Sequence, residues 1–130
     1  MKIAKENIEV KMEIPGAVIR QRTDFGDATG LGKISGEYFS LSKGVDTTPL
    51  FMGLEGNLCQ CPHWGYMIQG TMRIKYDDGA EEVLNAGDVF FLPAGHTGII
   101  DEDTKVIEFN PEKEFGELGE HIAKKMAEMS

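Results

Sequence analysis

Four side chains in this sequence have the types and the spacing to hold a metal ion: Cys59, Cys61, His63 and His96. Thiolate sulfur combined with imidazole nitrogen suits a borderline-soft, redox-inert ion, so the expected cofactor is a divalent metal, zinc first. In an extended segment alternate residues point the same way, which puts Cys59, Cys61 and His63 on one face, with Asn57 in phase, unless Pro62 bulges the chain. Alternate residues lie about 6.6 Å apart along a strand, so these three cannot close around one ion unaided. A donor from a second segment is required, and His96, which follows the tight Pro93-Ala94-Gly95 turn, is the expected one. Each residue also has a plainer use. Cysteine is among the most buried residue types and two of them can simply pack, while His63 and His96 can be satisfied by backbone or water. A Cys59–Cys61 disulfide requires the strand to bend, because extended i to i+2 spacing is at the upper limit for that bond. His121 falls on the polar margin of a helical segment and is expected to face solvent.

The elements that must position these groups are short. Ile8, Val10, Met12 and Ile14 alternate up to Pro15-Gly16, which predicts a strand with one apolar face. Further strands are expected over 18–21, 38–41 and 50–54, with a Gly-, Asp- and Thr-rich loop over 23–33 and an extended run over 59–69 broken by Pro62 and Gly65. Met72, Ile74 and Tyr76 alternate with polar residues, Asp78-Gly79 supplies a tight turn, and 81–84 returns as the partner, which makes the clearest hairpin. A turn over 85–88 leads into the apolar strand 89–92. Strands at 99–100 and 106–109 follow, joined by an acidic turn at 101–103. Strands at a spacing of roughly 8 to 12 residues favour an all-β sandwich or barrel. Phe39, Met52, Met67, Met72 and Phe91 are the expected core, with Trp64 and Tyr66 in the opposite phase and outside.

The tail has a different period. Asn110 suits an N-cap and Pro111 a first helical position, while Phe115, Leu118, Ile122, Met126 and Met129 step along one face of a helix over about 111–129. That stripe must be buried, either across the outer face of the β structure or against a second subunit.

Gly87 followed by Pro93, Ala94 and Gly95, together with the hairpin before it, resembles the second sequence motif of the cupin family. Gly70 stands where the first motif ends, and the resemblance runs over about 36–109. It implies a double-stranded β-helix, or jelly-roll, barrel over about 8–109 within one domain spanning 1–130, closed by the C-terminal helix. In that register His63 occupies the place of the family's metal-binding glutamate, Asn57 and Cys59 those of its two histidines, and Gly98 that of the last histidine, with His96 two residues earlier. The usual ligand set therefore does not carry over. What the resemblance implies is location: Cys59 and His63 face the barrel interior. Cys61-Pro62-His63-Trp64-Gly65-Tyr66 with Pro93-Ala94-Gly95-His96-Thr97 is similar to a branch of small cupins without an assigned reaction.

Charge narrows the partners. With 22 acidic and 13 basic residues the formal charge is -9, a field that repels phosphate backbones and anionic headgroups, so neither nucleic acid nor a membrane surface is expected. Residues 1–10 contain no apolar run of signal or membrane-span length, and a cytoplasmic location with reduced thiols is the expectation. The first functional reading is a barrel that binds a metal ion and a small molecule in its interior, as a homodimer. The alternative is a metal-dependent enzyme of the oxygenase or isomerase kind, with no catalytic residue assigned. A metal-free, ligand-binding dimeric scaffold is the third.

Overall fold

The computed structural model describes every residue except Thr29, Leu31 and Ser130. Seven strands and one helix make up the described residues: β1 (Val10–Ile14), β2 (Ala17–Arg22), β3 (Ile34–Leu41), β4 (His63–Tyr76), β5 (Glu81–Asn85), β6 (Val89–Leu92), β7 (His96–Pro111) and α1 (Glu112–Met129). The strands pair antiparallel in the order β1-β2-β3-β7-β4-β5, with β6 on the first half of β4. This is the all-β jelly-roll barrel expected from the sequence, with its C-terminal helix. The hairpin between β4 and β5 turns on Asp77, Asp78 and Gly79, and the Gly79 amide closes it on the Tyr76 carbonyl.

The hydrophobic periodicity of β4 changes phase along its length. Residues 63 and 67 point inward in its first half, whereas 72 and 74 do so in its second. The switch falls where the pairing with β7 slips between Met67 and Met72. Gly70 sits at that slip with φ +91°, and a Cβ there would run into the backbone of Asp103 and Thr104, so only glycine fits. Met72, Ile74, Leu84 and Ile100 from beyond the switch pack with Met67, Phe90, Leu92 and Val106 from before it into the main core.

Several local expectations are corrected. Residues 48–51 form a short 3-10 turn instead of a strand at 50–54, because Pro49 sits at its start and no neighbouring strand offers a ladder. Residues 101–103 are not a turn: β7 runs unbroken through them, its polar groups paired with β4. Asn110 and Pro111 are the end of β7, and the helix begins at Glu112; the Asn110 side chain is drawn inward by polar partners instead of capping it. Met52 and Phe91 are about half exposed, since apolar type alone does not decide which face a segment turns outward. Within the expected 23–33 loop, Thr29 and Leu31 lie outside the described residues, and Asp27 bridges to Lys33. The first part of the apolar stripe of α1 is covered within the chain, whereas Met129 at its end stays exposed. Phe115 and Leu118 pack with Phe51, Cys59 and Cys61 at one end of the barrel, where Phe115 also meets Phe39 edge-on.

Candidate metal centre

The backbone brings the first two donors together. Cys59 lies outside β4, in an isolated antiparallel bridge with His96: its amide donates to the His96 carbonyl at 2.8 Å, and its own carbonyl accepts from Gly95 at 2.7 Å. Gly95 makes this approach with φ +93°, in the left-handed region that glycine adopts at little cost. Pro62 then redirects the chain, and His63 enters the barrel as the first residue of β4. One ligand atom each from Cys59, His63 and His96 lies within 4.8 Å of the other two, and all three residues are buried. The Cys59 Sγ is 3.5 Å from His63 Nε2.

Cys61 is not in that group. Its thiol donates to the Pro62 carbonyl at 3.4 Å and its side chain packs in the apolar cluster under α1. The bend at Pro62 takes Cys61 out of phase with its neighbours, so the single-face arrangement expected of a straight strand does not form. Asn57 is also elsewhere: it ends a 3-10 turn at φ +59°, and its side-chain oxygen accepts from the Gly53 amide. His121 is half-buried beside Met52, with Nε2 3.0 Å from that residue's carbonyl.

Both imidazoles are oriented from behind. His96 Nδ1 lies 2.7 Å from the Pro93 carbonyl, which can only accept, so Nδ1 carries the proton and Nε2 keeps its lone pair. His63 Nδ1 lies 2.7 Å from Asn110 Oδ1 and 3.2 Å from Glu108 Oε1. The Asn110 amide nitrogen in turn donates to Glu37 Oε1 at 2.6 Å and to Glu108 Oε1 at 3.2 Å, which fixes its oxygen toward His63. Metal-ligating histidines are usually held in this way, with the second ring nitrogen on a carbonyl or carboxylate.

Burial sets the charges. It pushes His63 down to about 4 and His96 down to about 4, the latter helped by the adjacent His63 ring, so both are neutral near pH 7. It pushes the Cys59 thiol up to about 12, and raises the Cys61 thiol too. Glu37 and Glu108, directly opposite each other on β3 and β7, are both pushed up to about 7 by burial. Glu37 Oε2 and the Ser35 hydroxyl, beside it in the barrel, have no hydrogen-bond partner among the described residues.

The donor set fits a metal. Two neutral imidazoles present lone pairs toward one thiol, and an ion there would displace the thiol proton, whose high pKa holds only without a cation. Bonds of about 2.0–2.3 Å in a tetrahedral shell need ligand atoms roughly 3.3–3.8 Å apart, so the group closes with small side-chain rotations. Three donors leave a fourth position. Beside the three groups lies a partly open cavity of about 160 Å³ to which His63, His96 and Glu108 contribute the ionisable side chains. A larger depression of about 320 Å³ over Glu13, Ser42, Asp103 and Lys105 is shallow and open and gathers no buried ligand group.

Sequence reasoning missed Glu37, Glu108 and Asn110. The signal was there in the period of two: Glu108 and Asn110 are in phase with Val106, and Glu37 with Phe39 and Leu41, all pointing inward.

Comparison with known proteins agrees with this architecture. Residues 57–114, which contain all three donors, match the profile of the EutQ-like cupin domain family. No curated protein matches the chain. Among solved structures, it is similar to KdgF from Halomonas sp. (TM-score 0.58, 19% identity, over 83% of this chain and 90% of that one). It is also similar to an RmlC-like cupin from Shewanella frigidimarina (0.57, 17%, 84% and 88%) and to the polyketide cyclase RemF from Streptomyces resistomycificus (0.57, 17%, 85% and 78%). At such identities these likenesses speak for the fold alone. Strand order, the matched segment and these neighbours agree: residues 57–114 match a cupin family, and the chain has the cupin fold.

Proposed function

We propose that this cupin-fold protein holds one divalent metal ion, zinc in the first instance, on Cys59, His63 and His96, and binds a small molecule in the cavity beside it. The observation that carries this reading is the orientation of both imidazoles by acceptors on Nδ1, which directs two Nε2 lone pairs and one thiol at a common point. A bound ion would act there as a Lewis acid or hold the ligand's donor atom. Asn110 and Glu108 would keep the His63 ring in place, and the apolar walls would exclude water. Elemental analysis of purified protein expressed with zinc tests the proposal. One ion per chain, kept in Cys61→Ser and lost in Cys59→Ser and His63→Ala, is the expected result; a metal-free wild type under these conditions overturns it.

The enzyme alternative keeps one point in its favour. Glu108 lines the cavity as an acid near its own midpoint at neutral pH, which is what proton transfer to or from a bound molecule requires.

The homodimer belongs to the same proposal, through the outward surface that carries Trp64 and Tyr66. With Phe115 and Leu118 of α1 turned onto the barrel, Trp64, Tyr66, Val89, Phe91 and Phe109 form an exposed apolar face on β4, β6 and β7. A face of uncharged side chains is where two chains of charge -9 can meet without like-charge opposition. The exposed halves of its four rings, about 75–125 Å² each, supply roughly half of the ~800 Å² per partner of a standard interface, the remainder falling to Val89 and the surrounding rim. Sedimentation at the mass of one chain, 14.3 kDa, refutes this arrangement.

A further inference from the structure

The cavity restricts what the site can take, and this inference rests on the metal-site reading only for the ligand's head. At about 160 Å³ it is well under the ~300 Å³ where pockets for drug-sized molecules begin, and close to the roughly 150 Å³ that admits a single benzene-sized ring. Its walls are aliphatic and aromatic: Ile19 from β2, Phe39 and Leu41 from β3, Met72 from β4, Val106 from β7 and Leu118 from α1 are typical. No lysine, arginine, aspartate, asparagine or glutamine is among the described residues that line it.

The polar groups are few and mostly engaged. Thr47 Oγ1 is tied to the Gly98 backbone at 2.8 and 2.9 Å, and the Nδ1 atoms of both histidines are bonded away from the cavity. What remains for a ligand is the Nε2 side of His63 and His96, with Glu108 next to it. A polyhydroxylated or dianionic molecule would leave several hydroxyls or a second charge unpaired against hydrocarbon, at a cost of kilocalories per group.

We propose that the ligand of this pocket is a small, largely apolar molecule of one ring, carrying a single hydroxyl or thiol head directed at His63 and His96. Such a head serves in either state of the site. It donates its proton to an imidazole Nε2 when no ion is present, and binds through oxygen or sulfur when one is. The ring fills the space between Phe39, Val106 and Leu118.

The test is titration calorimetry on the intact protein, once zinc-loaded and once after chelation, with four probes: phenol, toluene, oxalate and glucuronate. Phenol binding about tenfold tighter than toluene, the margin of one hydrogen bond, with no heat from oxalate or glucuronate, is the expected pattern. Binding of oxalate or glucuronate in preference to phenol overturns the proposal, as does equal affinity for phenol and toluene or no binding of either. Ile122→Trp, which fills the cavity from the helix, should abolish phenol binding while leaving zinc content unchanged. If the protein never retains metal but still prefers phenol, the ligand class stands and the metal reading fails. Stoichiometric zinc with preference for oxalate does the reverse: the metal reading stands and the ligand class fails.

Discussion

The two halves of β4 and β7 pack in opposite senses. In the half beyond Gly70 the interior is hydrocarbon at Met72, Ile74 and Ile100, with His96 and Thr97 buried only at its far end, while outside Arg73 pairs with Asp101 at 3.2 Å and Lys75 with Glu81 at 3.5 Å. In the half before it, His63, Glu108 and Asn110 are inside, and Trp64 stacks on Phe91 outside with ring centroids 5.0 Å apart. The first half is what the hydrophobic effect alone produces. The second sets stability against function: each buried polar atom needs a partner, and two, Glu37 Oε2 and Ser35 Oγ, lack one. A fold can carry such a region because the other end of the same strands supplies its core.

The largest effect that would sharpen this contrast is metal binding. Zinc at a thousandfold excess over its Kd should stabilise the wild type by about 4 kcal/mol. In thermal unfolding this gain should vanish in Cys59→Ser and persist in Cys61→Ser. A gain that also vanishes in Cys61→Ser would move the site back toward the straight-strand arrangement.

Met67→Ala, in the fully buried core, should cost about 2–5 kcal/mol in urea unfolding. At the polar end Asn110→Ala should cost about 1–3 kcal/mol, since it leaves Glu37 Oε1 without its donor and His63 Nδ1 with only the longer contact to Glu108, and should weaken metal affinity by about 10- to 100-fold. If affinity is unchanged, the hydrogen bond behind His63 does not orient it.

The pH dependence of metal-free protein reports on the polar cluster, whose buried titratable groups come from both halves: His63 and Glu108 from before the slip, and His96 from the start of β7 opposite Tyr76. The two histidines are lowered toward about 4, so the unfolded chain binds more protons between about 4 and 6.5 and their contribution to stability grows with pH there. The two carboxyls are raised to about 7, so the folded chain binds more protons between about 4.5 and 7; their contribution is full below that window and declines through it. The two slopes oppose each other, and stability should be nearly flat from about 4.5 to 6.5, then fall toward pH 7. Glu37→Gln with Glu108→Gln should remove the falling part and uncover a rise with pH across the histidine window. An unchanged profile in that double variant would show that the carboxyls are not held protonated. The smallest effect is expected from Trp64→Ala, about 1 kcal/mol in the monomer, because the ring is already half in water.

How much of this could be read from residues alone differs by element. The hairpin at Asp78-Gly79 and the barrel class were legible because turn chemistry and period-2 alternation are local. The clustered groups of Cys59, His63 and His96 were legible as types, but their clustering without the Cys61 thiol was not, because alternation assumes a straight strand and Pro62 bends this one. The helix stripe was legible as apolar; its partner was not, since what covers a surface depends on elements far away in the chain.

The sequence by itself determined which atoms are available: a thiol, two imidazoles, two carboxyls in apolar strands, and an amphipathic tail. Only the tertiary structure decided how they act. The Cys59–His96 bridge, the direction of the His63 ring and the burial that keeps both rings neutral arise from segments 37 or more residues apart meeting, as at Cys59 and His96, whereas the His96 ring is turned locally by the Pro93 carbonyl. Proximity, tautomer and desolvation are properties of that meeting, and no local pattern of residue types encodes them.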